Sequence, residues 1–505
     1  MQGPAGGDCL KGLPMLARTS HTHPLEIAAV RSAPNQGAIG ITFCPGKKQP
    51  GAATGAWDRD LGLDLDAVVD FGAVVLVSLI EDHEIEALQV QAIAQECTAR
   101  HLQWIHLPIA DVSVPDRNFE ESWTRHGPGL RARLRGGFNI VVHCKGGLGR
   151  AGTVAARLLI ELGTRPHAAI RAVRLARPGA IETAAQLGYV EGLIAADEAV
   201  PSKTQSACRD RALGALVGLA VGDAVGTTLE FASRGSYPPL TDMIGGGPFR
   251  LKPGQWTDDT AMALALADSL LECTAFDPAD LMTRFVRWRD EGAYSCTGTC
   301  FDIGTTVAAA LSRWSRTGDP LAGSTDPGTA GNGALMRLAP VAVRYWNDPG
   351  KLRHVAATQS RTTHAAPEAV SACVVWADLL AEAIAGADRA QVLRPRHGDH
   401  AGTIANILAG SWRGMRRCDV RSSGYVAHSL EAALWSVGST DSFAAAVLTA
   451  ANLGGDADTT AAIAGQLAGA LYGLGGIPPE WLGKLAWRAE ITAKAAALFS
   501  ASMGG

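Results

Sequence analysis

The rhythm of hydrophobic and polar positions changes near residue 200. Ala73–Leu79 (AVVLVSL) is an unbroken apolar run of strand length, as expected of a strand covered on both faces. An amphipathic helix is predicted from about Glu81 to Arg100, then a short strand at Trp104–Ile109. A helix from about Phe119 to Leu134, the strand Asn139–His143 (NIVVH) and a helix from about Ala151 follow. Strands alternating with helices predict an α/β domain with a mostly parallel sheet, whose functional groups lie beyond the carboxyl ends of its strands. Residues 1–25 lack this pattern and read as a loose N-terminus, so the domain is placed at 26–200. The polar stretch DEAVPSKTQ, Asp197 to Gln205, is the predicted break, with the linker at 201–208. From 209 to 505 nearly every segment repeats with helical period and is rich in Gly and Ala, which predicts an all-α domain with close helix packing.

Composition narrows the classes. At 505 residues the chain exceeds one hydrophobic core, and 47% hydrophobic with 19% charged residues is a folding composition. A net charge of -4 gives no basic signature for nucleic acid. Ten cysteines without a C-x-x-C pair suit a reducing cytoplasm, and no charged start followed by an apolar core marks a secretory signal. The uncharged run Thr459–Pro479 contains Gln466 and has an aspartate pair at its mouth, so it reads as a packed helix and not a membrane span. A cytoplasmic chain with no membrane partner is the expectation. The twelve tryptophans read as core, and Cys296 and Cys300 as buried thiols, a C-x3-C zinc pair lacking further soft partners.

Chemistry concentrates at three stretches. His143-Cys144-Lys145-Gly146-Gly147-Leu148-Gly149-Arg150 stands between a strand and a helix. Its glycines let backbone N–H groups turn inward on an anion, and the helix N-terminus adds its dipole. Cys144 in that field is expected as a thiolate nucleophile, with Arg150 gripping two phosphoryl oxygens. The second stretch, AANLGGDADTT, sets Asp456, Asp458 and Thr459 behind two glycines. The third, QWTDDT, sets Thr257, Asp258 and Asp259 at the start of an apolar helix. A helix cap needs one such residue. Four carboxylates with threonine hydroxyls are hard oxygen donors sufficient for two divalent cations, provided the two clusters meet in space.

The C-x5-R loop, together with HLPIADVSVPD around Asp111 and ARPGAIETAAQ ending at Gln186, resembles dual-specificity protein phosphatases, most closely the kinase-associated type. The resemblance implies Asp111 as general acid, with Asp116 as a rival, and Gln186 as the residue that orients water. It implies no cofactor. Where that family carries Ser or Thr after the arginine, this chain has Ala151, so slow breakdown of the phosphocysteine is expected.

The order of GALVGLAVGDA at 214–224, TDDT at 257–260, GNGALMR at 331–337 and LGGDADTTAAIAGQLAGALYG resembles ADP-ribosylglycohydrolases of the dinitrogenase reductase-activating branch. The resemblance implies an all-α fold and two Mg²⁺ or Mn²⁺ ions held by Thr257, Asp258, Asp259, Asp456, Asp458 and Thr459. It implies Asp302 as the catalytic carboxylate and Glu230 near the metals. Gly331, Asn332 and Gly333 would bind pyrophosphate, and His364 and Tyr425 would line the ADP-ribose cleft unless they are merely packed side chains. Together the two resemblances imply a bifunctional hydrolase acting on phosphorylated and ADP-ribosylated proteins or small molecules. The alternative is a phosphate- and ADP-ribose-binding scaffold of low activity.

Overall fold

The computed structural model describes residues 17–52 and 55–503. The chain forms two compact units. The first ends at Ala196 and the second begins at Asp197, with Asn35–Gly37 and Gly127–Phe138 grouped with the second.

The first unit is built on a five-stranded sheet. In chain order the strands are β1 (Ala28–Val30), β2 (Ile39–Phe43), β3 (Lys48–Gln49), β4 (Trp57–Asp58), β5 (Ala73–Ser78), β6 (Gln103–His106) and β7 (Asn139–Cys144). The sheet order is β1-β2-β7-β5-β6, and β3 pairs with β4 in a separate ribbon. Within the five-stranded sheet only β1 runs antiparallel to its neighbour. Strand β7 therefore lies between β2 and β5, and its carboxyl end delivers Cys144 at the sheet's centre, aligned with Phe43 of β2. Strands β1 and β2 were not anticipated, because Gly40 interrupts the apolar pattern. A Cβ there would stand 2.6 Å from Ile27 Cγ2, so the close approach of neighbouring chains selects glycine.

The predicted helix over Glu81–Arg100 is two helices, Asp82–Ala87 and Ile93–Ala99. The chain breaks at Gln89, which takes a left-handed φ of 58°. The break lets Leu88 and Val90 both enter a core with Cys44 and Ile80, which a continuous helix does not allow. The strand expected at Trp104–Ile109 stops at His106. Beyond it, the N–H groups of Leu107 and Ile109 still donate to the carbonyls of Ser78 and Leu79. That strap fixes the loop carrying Asp111.

The second unit is helical, and its described residues contain isolated bridges but no strand. Its axis is an antiparallel pair, Gln205–Gly226 and Ala457–Tyr472. Gly214, Gly218, Gly222 and Gly226 recur every fourth residue and form one seam. A Cβ on Gly218 would lie 2.4 Å from the Gly465 carbonyl, and one on Gly465 would lie 2.1 Å from the Gly218 carbonyl. The same contact repeats at Gly214 with Gly469, Gly222 with Ala461 and Gly226 with Ala457. Backbone meets backbone along the whole pair. This seam is the physical basis of the Gly/Ala richness, and it brings Asp223 beside Asp458. The helix within residues 205–229 is long and apolar enough to cross a membrane by length and composition, but 94% of that window is buried inside the unit.

Candidate active sites

In the first unit the loop after β7 encloses the Cys144 sulfur. The Gly147 N–H donates to Sγ at 3.2 Å. Gly147 has φ 72°, and a Cβ there would sit 2.5 Å from the Phe43 nitrogen, so only glycine lets the loop pass β2. Lys145 and Leu148 are half-buried and Gly146 is exposed. The Lys145 carbonyl accepts from Lys47 Nζ at 3.3 Å and that of Gly147 from Arg177 Nε at 3.2 Å. The helix Gly149–Glu161 starts without a side-chain cap, which leaves its first N–H groups free for an anion. Lys47 is 5% exposed, its ammonium lies over the rings of Phe43 and Trp57, and burial lowers its pKa to about 8.

Arg150 is clamped. Its guanidinium donates to both oxygens of Glu84, at 2.5 and 2.9 Å, and to the Ile109 carbonyl at 3.0 Å, and it pairs with Asp111 Oδ1 at 2.9 Å. Asp111 and Arg150, the expected general acid and the expected phosphate-binding arginine, are thus brought together, with the Asp111 side chain 54% exposed. Asp116, the rival acid, instead caps the following helix by accepting from the Phe119 N–H at 2.8 Å. Gln186 is fully buried. Its carbonyl oxygen accepts from the N–H groups of Glu182 and Thr183, and its amide donates to the Ser113 carbonyl of the acid loop at 3.1 Å. Behind the nucleophile, His143 Nε2 lies 2.6 Å from Ser78 Oγ, and burial holds its pKa down to about 3. Ala151 is fully buried beside the loop, and the Thr153 hydroxyl is already spent on the Gly149 carbonyl.

In the second unit the two distant aspartate clusters meet. The Thr257 hydroxyl lies 2.8 Å from Asp223 Oδ1, 3.1 Å from Asp458 Oδ2 and 3.4 Å from Asp259 Oδ2. Thr459 Oγ1 lies 3.4 Å from Asp259 Oδ2. Neither helix has a side-chain bond from its own N-cap residue, although Asp458 Oδ1 accepts from the Thr459 N–H of its own first turn at 2.6 Å. Asp223 accepts from the N–H and hydroxyl of both Thr257 and Thr260, capping Asp258–Glu272 from a different helix. Glu230 Oε2 accepts from the N–H groups of Ala457 and Asp458, capping Ala457–Tyr472 in the same way. With most of the N-terminal donors satisfied from outside, Asp258, Asp259, Asp456 and the second oxygen of Asp458 are left for another task.

Carboxylate oxygens of Asp223, Asp259 and Asp458 lie within 4.8 Å of one another, as do those of Glu230, Asp456 and Asp458. Asp302 stands close enough to Asp258 to push its pKa up, and its side chain bonds that of Asp458. Burial first, and the mutual repulsion of the set second, push the pKa values of Asp223, Glu230, Asp258, Asp259 and Asp456 upward. Burial also raises Asp302 and Asp458. Among the described residues, no Lys, Arg or His ion pair involves any of these carboxylates, and Asp259 Oδ1 is buried without a hydrogen-bond partner. An all-oxygen, uncompensated acidic set with an orphaned oxygen fits hard divalent cations. Cys296 and Cys300 are half-buried free thiols and belong to neither group.

The remaining residues of interest form one network with this set. Asn332 donates to Asp456 Oδ2 at 2.6 Å and to Ser429 Oγ at 2.8 Å. Gly331 bridges the backbone of Tyr425, whose hydroxyl bonds Glu368. His364 lies beneath the loop, where a Cβ on Gly333 would stand 2.8 Å from its ring. Its Nδ1 is 2.9 Å from Thr363 Oγ1, and burial lowers its pKa to about 3.

Sequence reasoning missed Glu84 and Asp223. The helix that carries Asp223 also carries Asp210, so the charge pattern of that helix does not by itself single Asp223 out. Nothing local marks Glu84.

The geometry agrees with comparisons to known proteins. Residues 204–504 match the ADP-ribosylglycohydrolase family model, and residues 59–190 match that of the Swiss Army Knife protein, DSP-PTPase phosphatase domain. An ADP-ribosylarginine hydrolase Tri1 of Pseudomonas putida is 49% identical over 290 residues, covering 57% of this chain and 78% of that protein. The ADP-ribosyl-[dinitrogen reductase] glycohydrolase of Rhodospirillum rubrum is 36% identical, covering 57% of this chain and 94% of its own length. A solved ADP-ribosylglycohydrolase-related protein complex superposes with a TM-score of 0.53 at 44% identity, covering 59% of this chain and 99% of that one. Both halves thus match hydrolase families, and the chain belongs to the ADP-ribosylglycohydrolase family through residues 204–504, with a dual-specificity-type phosphatase domain preceding it.

Proposed function

We propose that the chain is a bifunctional hydrolase that cleaves phosphomonoesters with Cys144 and releases ADP-ribose from arginine side chains at a metal-dependent site. The observation that carries the second activity is the buried, cation-free set of carboxylates around Asp458 with its orphaned Asp259 oxygen. Two Mg²⁺ or Mn²⁺ ions held by Asp223, Thr257, Asp258, Asp259, Asp456, Asp458 and Thr459 would neutralise that set and act as Lewis acids toward the ribose hydroxyls. Asp302 takes a proton from the attacking water as the bond between the anomeric carbon and the guanidino nitrogen breaks, and passes that proton to the departing nitrogen. Asn332 and the Gly331–Gly333 backbone hold the pyrophosphate, while His364 and Tyr425 line the cleft. Arginine as the acceptor is supported by the name of the Tri1 relative.

In the first unit, Cys144 Sγ attacks phosphorus and Arg150 steadies the equatorial oxygens. Asp111 protonates the leaving oxygen as its bond to phosphorus breaks. Water then displaces the thiolate, with Asp111 accepting its proton and Gln186 orienting it. Substrates are phosphorylated and ADP-ribosylated proteins or small molecules. Hydrolysis of an ADP-ribosylarginine peptide, with and without added Mg²⁺ or Mn²⁺, by wild type and Asp458→Asn tests the second activity. Metal-independent release, or release undiminished in the variant, would sink it. Cys144→Ser with an aryl phosphate tests the first, where retained turnover would do the same.

A further inference from the structure

Two phenylalanines outside the carboxylate set are joined to it by their chain neighbours, and a third joins them to each other. Phe231 follows Glu230, the residue that caps the Asp458 helix, and Phe301 precedes Asp302. Phe249 connects them, with ring centroids 6.3 Å from Phe231 and 5.1 Å from Phe301. Phe231 is 66% exposed, although its backbone is fixed: its N–H donates to the Gly455 carbonyl at 2.7 Å, next to Asp456. Left-handed φ values of 60° at Phe231, 54° at Arg250 and 59° at Asp302 occur in these three segments. Side chains resist that conformation, and it persists where the surroundings impose it, commonly at ligand-binding positions. An exposed aromatic ring held on a strained backbone, next in the chain to the buried Glu230, is a poor arrangement for packing alone.

Asp456 sorts the surroundings of the site into two kinds. Its carboxylate holds Asn332 of the polar loop that includes Gly331, whereas its turn, through Gly455, holds Phe231. The polar loop has the donors an ADP-ribosyl group needs. The aromatic cluster offers almost none, and it sits next to Asp302 in sequence, where the acceptor departs. From this placement we propose that Phe231, Phe249 and Phe301 form the acceptor subsite, and that the ring face of Phe231 holds the planar, cationic guanidinium of the modified arginine. The neighbouring acidic set attracts the same positive charge, and a ring face adds cation–π attraction that a serine or phosphate acceptor does not gain. The assignment rests on reading the second unit as an arginine-directed ADP-ribosyl hydrolase.

The test compares wild type with Phe231→Leu and Phe231→Tyr, each with added Mn²⁺, on arginine-, serine- and phosphate-linked ADP-ribose. Binding of free ADP-ribose is measured in parallel by calorimetry, which reports whether each variant retains a folded ADP-ribose site. Leucine should lower kcat/KM for the arginine conjugate about three- to tenfold, and tyrosine should keep it within about twofold. Free ADP-ribose should bind all three proteins alike, and any serine or phosphate conjugate that is cleaved should be insensitive to residue 231. If wild type cleaves the arginine conjugate and leucine matches it, or leucine and tyrosine fall together on every conjugate, the subsite is overturned while the hydrolase reading stands. If wild type cleaves no arginine conjugate, the hydrolase reading fails and the subsite with it.

Discussion

At the scale of single residues, the most consequential feature of the first unit is a missing hydroxyl. Ala151 is buried directly after Arg150, at the position where the phosphatase resemblance implies a Ser or Thr donating to the departing thiolate, and the Thr153 hydroxyl is bound to Gly149. A hydrogen bond to a charged group is worth about 1.5–3 kcal/mol, a factor of roughly ten to a hundred in rate. Wild type should therefore show a rapid-quench burst followed by slow turnover. Ala151→Ser should raise the steady rate by about that factor and shrink the burst, and a wild type with no burst would contradict the idea. His143 makes a second prediction. Its folded pKa of about 3 lies below the unfolded value of about 6.5, so below pH 6.5 only the unfolded chain takes up the proton. Its contribution to stability is present above pH 6.5 and is lost as pH falls toward 3, at about 1.4 kcal/mol per unit. Denaturant unfolding at pH 7 and 5 should show a shallower acid loss in His143→Asn. The residue chemistry itself was readable, since Cys144, Arg150 and the aspartate pairs stand in compact motifs. Asp223 and Glu84 were not, because each acts on a partner more than thirty residues away in the chain.

Secondary elements explain why an ordinary cap pattern became a buried carboxylate cluster. D-A-D-T and T-D-D-T both read as N-caps, yet the caps come from Asp223 and Glu230, which the long helix Gln205–Gly226 and the segment after it deliver from outside. That delivery depends on the glycine seam. The periodicity of Gly214, Gly218, Gly222 and Gly226 was visible in the sequence as Gly/Ala richness, but the identity of the opposing helix was not. Periodicity describes one helix, whereas a seam is a property of two. Similarly, Glu81–Arg100 has a helical period throughout, and only the need to bury both Leu88 and Val90 breaks it. A Gly465→Ala substitution forces backbone 2.1 Å from the Gly218 carbonyl to move, so stability should fall by about 1–3 kcal/mol in urea unfolding. Gly222→Ala, adjacent to Asp223, should cost a similar amount and additionally reduce ADP-ribose release at saturating metal. Unchanged stability in both would mean that the seam is looser than these contacts indicate.

For the whole molecule, each hydrolytic centre draws its residues from its own unit, and the two demand different chemistry. The carboxylate set is a strain on the second unit when no cation is bound, because buried like charges must either repel or take up protons. Cations that bind only the folded form stabilise it by mass action, about 2.7 kcal/mol at one hundred times the dissociation constant. The first unit has no comparable cluster among its described residues. Calorimetric melting with added Mn²⁺ should accordingly shift the transition of the helical unit upward and leave that of the phosphatase unit in place, while EDTA reverses the shift. Asp458→Asn removes a ligand shared by both carboxylate groups, so it should abolish most of the shift; it also relieves repulsion, so without metal the variant should melt no lower than wild type. Cys144→Ser should leave the metal shift intact and eliminate phosphatase turnover. An upward metal shift confined to the phosphatase transition, or one that survives in Asp458→Asn, would place the cations elsewhere and remove the basis for assigning them to the seam-built site.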